Sequence, residues 1–169
     1  MSQNPYAPPE ADVDAVAPPP SSAPAPALWN PNAAANWSLL LTPAFGAFLH
    51  MKNWAALGEP QKADASRKWF IAVIAIFLAL TIVAAMLPAS PAMGAASRSV
   101  GIGLLVAWYL TSAREQMQYV LGRYGKTYPR RGWGMALLLG LAGLVAFVVV
   151  AFVLGMVLEL VFGFGREGR

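Results

Sequence analysis

The sequence predicts an all-α, polytopic membrane protein with three firm transmembrane helices and a short first helix broken by proline and glycine. Three observations carry that prediction. Hydrophobic residues make up 57% of the 169 residues and charged residues only 12%, against roughly 25% in soluble domains. Uncharged apolar runs reach the ~20 residues needed to cross a hydrocarbon core about 30 Å thick. Lys and Arg gather in the segments between those runs. The length suits one domain. With no Cys, disulfides, thiolate metal sites and a Cys nucleophile are excluded.

Residues 1–30 open the chain as a Pro/Ala-rich tail, with eight prolines in the first 27 positions. Such a composition buries too little apolar surface to offset its ordering entropy, so the tail is expected to be disordered. It lacks the basic start and apolar centre of a cleavable signal peptide. The helical transmembrane domain is expected over 31–169.

The first apolar segment, about 33–51, is barely long enough to span and breaks at Pro43 and Gly46. It crosses, lies at the interface, or turns back within the bilayer, where protein can satisfy a broken backbone. The first 51 residues carry no Lys or Arg, so the tail is easily translocated. That favours a crossing and four helices in total. The clearest span covers 69–89, with a helix starting near Pro60, where Gly58 stops one helix and proline opens the next. A weaker span covers about 92–112. The last, 133–160, exceeds one bilayer thickness and must tilt or protrude.

Basic loops at 50–68 and 113–132 flank a turn at 88–96 that has no Lys or Arg. The positive-inside rule puts both loops in the cytoplasm and the carboxyl terminus in the periplasm. The net charge of +4 therefore speaks for anionic lipid head groups rather than nucleic acid. Trp69, Tyr124, Tyr128, Arg130, Arg131 and Trp133 are the expected interface anchors.

Chemistry-bearing residues are few. His50 is the single histidine, expected at the membrane edge facing head groups; its one candidate nucleophile, Ser38, lies 12 positions away. Gly101-Ile102-Gly103 begins like a dinucleotide fingerprint, but it lacks the third glycine and the preceding strand. No catalytic, cofactor or metal site is expected. Arg98 and Glu159 lie about 10 and 7 Å from the same membrane face, counted along their helices. They either pair between helices or reach the interface separately. Small residues four apart (Gly132, Ala136, Gly140; Ala142, Ala146; Ala151, Gly155; Gly103, Ala107, Thr111) predict close helix packing, within the chain or between copies.

"NPYAPP", "LWNPNAAANWSLLLTPAFGAFLHMKNWAALG" and "YGKTYPRRGWG" together resemble a group of small inner-membrane proteins of Gram-negative bacteria whose function is uncharacterised. In that group a broken apolar segment leads into an Asn–Trp–x–x–Leu–Gly turn, here Asn53, Trp54, Leu57 and Gly58, and then a transmembrane helix. The resemblance implies an inner-membrane location and no particular chemistry. The expected function is non-enzymatic: an assembly, scaffold or accessory factor, with membrane lipids and a second copy or another membrane protein as partners. The alternative is a small transporter or channel subunit using the broken helix, Arg98 and Glu159.

Overall fold

The computed structural model describes residues 24–87 and 90–163. They form six α-helices: α1 (Pro31–Leu41), α2 (Pro43–Ala56), α3 (Pro60–Met86), α4 (Pro91–Trp108), α5 (Arg114–Tyr124) and α6 (Gly134–Phe162). A π-helical turn, Tyr109–Ala113, joins α4 and α5 without a break. The all-α membrane class stands. Three helical segments are long and apolar enough to cross a bilayer: α3, the continuous α4–α5 rod and α6. The expected tail up to residue 23 and the carboxyl-terminal segment lie outside the described residues.

Helix starts follow from proline. Each of α1 to α4 opens on one, where a missing N–H removes no intrahelical bond. Asn30 and Ser90 add side-chain caps to α1 and α4. Glycines with positive φ close α2 (Gly58), α5 (Gly125) and α6 (Gly163).

The fourth crossing does not form. α1 and α2 fold back on each other as a helical hairpin, and its two ends are bonded together. The Trp29 N–H donates to Asn53 Oδ1 at 3.0 Å, and Asn53 Nδ2 donates to the Trp29 carbonyl at 2.8 Å. A segment crossing the bilayer would hold its ends some 25 Å or more apart. The break is sharper than a kink because Pro43 forces the preceding residue out of the α region. Thr42 takes ψ 154° accordingly, and its φ of 104° reverses the chain. The segment ahead of the hairpin is folded too: Leu28 is fully buried and joins residues 129–131 through an isolated parallel bridge to Arg130. Ala25 and Ala27 join this contact, the first packing beside Leu28 and the second accepting from Arg131.

At mid-depth α3 lies between α4 and α6. Phe77 packs edge-on to Phe147 of α6 at 6.2 Å and faces Gly101 of α4. On α6 the half-buried positions Leu137, Gly140, Leu144, Phe147, Ala151, Leu154 and Leu158 alternate three and four apart. That 3.5-residue period is the seam of a left-handed helix pair, here laid along α3. Small residues sort accordingly. Ala136 and Gly140 meet the hairpin, Ala151 and Gly155 lie half-buried, and Ala142, Ala146 and Gly103 are open.

Candidate functional site

The hairpin's foot is the most polar part of the interior. His50, Asn53 and Gln116 are buried there, and Ser38, Ser66 and Ser112 are buried elsewhere in the interior. Gln116 of α5 ties the foot to the rod. Its Nε2 donates to the His50 carbonyl at 2.9 Å, and its Oε1 accepts from Asn53 Nδ2 at 3.1 Å. His50 Nε2 lies 3.3 Å from the Pro31 carbonyl at the start of α1. In a dry interior, losing one partner of such a bond leaves the other buried and unsatisfied.

The π-turn is what brings Gln116 inward. Trp108, Ser112, Gln116 and Val120 are all buried and spaced by four. In a pure α-helix each step of four drifts by about 40° around the axis. One wide turn absorbs part of that drift and keeps the row facing the hairpin. This segment was expected to be a loop from residue 113; instead the helix runs on to Tyr124.

His50 differs from the expected head-group histidine: it is fully enclosed, with its ring 5.2 Å from Trp108. It lies outside the three spanning segments, and burial pushes its pKa down from 6.5 to about 4, only partly opposed by the Pro31 carbonyl. The imidazole is neutral. Its Nδ1, the indole Nε1 of Trp108 and Ser66 Oγ have no hydrogen-bond partner among the described residues. Ser38 Oγ donates to the Ala34 carbonyl of its own helix at 2.8 Å and is not poised by His50 as a nucleophile. Among the described residues no group of three or more His, Asp or Glu side chains is placed to share a metal ion.

Around the foot runs a cationic, aromatic rim. Lys62 Nζ sits 4.7 Å from the Trp54 ring and 4.8 Å from the Tyr119 ring, and pairs with Glu115 at 3.0 Å. Tyr119 Oη donates to Glu59 at 2.8 Å and accepts from Arg123. Arg131 stacks on Trp29 at 4.7 Å and donates to the Ala27 carbonyl, while the Trp29 indole donates to the Gly132 carbonyl. Of the expected anchors, Arg130 and Arg131 are exposed. Trp69, Tyr124 and Trp133 are half-buried. Tyr128 is turned inward against Leu28 and Val120, with Arg130 over its ring.

Arg98 and Glu159 are not brought together; among the described residues no ion pair joins them. Gly101 and Phe147 share a level through Phe77. From that level Arg98 is three residues and Glu159 twelve residues toward the same end, a mismatch of about 13 Å. Arg98 instead climbs its own helix, its Nε donating to the Gly94 carbonyl at 3.0 Å. Glu159 lies beside a shallow groove lined by Val153, Met156, Val157 and Leu160. The polar foot is the feature sequence reasoning missed: Gln116 lies in the polar stretch Arg114–Gln118, and nothing around it in the sequence marks it as an inward-facing amide. Comparison with known protein families, curated proteins and solved structures finds no match.

Proposed function

We propose that the chain is a non-enzymatic integral protein of the bacterial inner membrane that acts by assembly, as a scaffold or accessory subunit held on anionic lipid. The observation that carries this reading is the use made of the polar residues at the hairpin. Asn53 and Gln116 are spent on closing the hairpin's foot against α5, not on lining a path. The result is a rigid fitting with an open, small-residue face on α6 at Ala142 and Ala146.

By the positive-inside rule the rim faces the cytoplasm, with anionic head groups around Arg130 and Arg131. Because the hairpin's ends meet, the amino-terminal tail leaves on the same side. Single cysteines at Ala15 and Thr127 are therefore expected to resist an impermeant maleimide together, in intact cells, and to react together once the inner membrane is opened. Labelling of Ala15→Cys alone in intact cells would return the first segment to a crossing.

Assembly is tested by oxidative cross-linking in native membranes. Ala142→Cys or Ala146→Cys should give a discrete adduct, with itself or with one partner, while Ala151→Cys on the α3 seam gives none. The strained break at Thr42 favours the transporter reading, in which proteoliposomes would carry a proton-coupled flux lost in Glu159→Gln. Flux without adducts would replace the assembly reading.

A further inference from the structure

The hairpin adds two helices to one half of the molecule only. At the basic end five helical sections lie side by side: α1, α2, α3, α5 and α6. At the opposite end, among the described residues, only α3, α4 and α6 remain. A helix with its side chains is about 10–12 Å wide, so the basic half carries roughly 200 Å² of extra cross-section.

That extra section stays within one leaflet. Phe45 and Leu41, next to the hairpin's apex, pack on Gly140 of α6. The apolar stretch of α6 begins near Met135, which sets the apex about 8 Å inside it, roughly a quarter of the way across a 30 Å core. Leu39 and Leu40, just before the apex, are 69% and 72% exposed. They face acyl chains of the basic-side leaflet and displace them. Nor can the hairpin retract easily. Gly46 is clasped by Ser38 and the Trp108 ring, Gly140 by Phe45, and the foot is bonded to Gln116 and to the 129–132 segment.

We propose that the molecule is a one-leaflet wedge that recognises bilayer curvature. Its partner is a lipid surface bent so that the leaflet on the basic side is the expanded one. In such a membrane the head groups on that side are spread, and the hairpin fills area that lipids would otherwise cover imperfectly. The cationic rim adds hold on anionic head groups but does not choose between curvatures of opposite sign. The proposal needs only that the protein spans the membrane, not that it assembles with a partner.

Two single-cysteine forms of the full chain test it: Thr127→Cys at the basic end and Ala92→Cys at the other, both at exposed positions. Each is reconstituted in giant vesicles of phosphatidylcholine and phosphatidylglycerol and labelled from outside with an impermeant fluorescent maleimide. Only molecules presenting the labelled end outward are then seen. Narrow tubes are drawn from the vesicles, and protein density per lipid is compared between tube and vesicle. The Thr127 label should be enriched in the tube, with a ratio above unity, and the Ala92 label depleted, with a ratio below unity. Ratios at unity for both forms, a shift in the same direction for both, or the reverse order would each overturn the wedge. Loss of the α6 cross-link leaves these ratios untouched, so the two proposals fail separately.

Discussion

At the scale of single residues, Thr42 is the strained point. A β-branched residue at φ 104° is a backbone outlier that costs of order 1–3 kcal/mol. Thr42→Gly is expected to raise stability by about 1 kcal/mol in a detergent-unfolding titration while keeping the hairpin. Gly46 predicts the opposite. A methyl there would overlap Ser38 and Trp108, so Gly46→Ala should cost about 1–3 kcal/mol, the range for forced overpacking. Gly143, with open space around it, should accept Ala without loss. His50 adds a pH dependence. Its folded pKa near 4 lies below the unfolded 6.5, so the unfolded chain binds the extra proton as pH falls. Its contribution is fully present above pH 6.5 and drains away toward pH 4, by about 3 kcal/mol in all. A His50→Gln form should lose that slope between pH 6.5 and 4 in thermal unfolding; an unchanged slope would assign it to other groups.

At the scale of elements, the hairpin and the α4–α5 rod act as one unit through Asn53 and Gln116. Removing either amide leaves its partner buried and unsatisfied, so Asn53→Ala and Gln116→Ala should each cost about 1–3 kcal/mol, and the double variant clearly less than their sum. A double-mutant cycle in the same detergent checks this. Part of each element was legible: Pro60 after Gly58 marks a helix start, Pro43 marks the break in the first segment, and hydropathy marks α3 and α6. The hairpin was not, because charge reasoning weighed an easily translocated tail. The bonds that actually decide the path join Trp29 to Asn53, and no local pattern announces them. The length of the rod was hidden for a similar reason. Residues 114–124 are polar enough to read as a loop, and only Gln116 and Val120 among them are fully buried, with Met117, Tyr119 and Tyr124 packed partly inward.

For the whole molecule, the sequence was a sound guide to the class and to the charge asymmetry between the two ends. It was a poor guide to depth. Counting from the predicted ends put Arg98 and Glu159 level, whereas the α3 seam offsets them by about 13 Å. Register between helices is set by side-chain contacts such as Phe77 with Phe147, which hydropathy does not record. Because Arg98 satisfies itself on the Gly94 carbonyl, Arg98→Leu and Glu159→Leu should have additive effects on stability, within a few tenths of a kcal/mol. A coupling beyond that range in the detergent titration would mean that the two residues meet after all.

The strand-like pairing of Leu28 with Arg130 bears on how the protein is made. Trp29 and Arg131 reach partners 103 and 104 residues away, so the hairpin's entry is anchored to a loop synthesised long after the hairpin itself. Closing so long a span costs entropy before any contact repays it. The entry to the hairpin at Leu28 and Trp29 therefore cannot close until the loop ahead of α6 has been made. Chains halted before Pro129 should leave Trp29 open to an aqueous quencher, and chains extended past α6 should shield it.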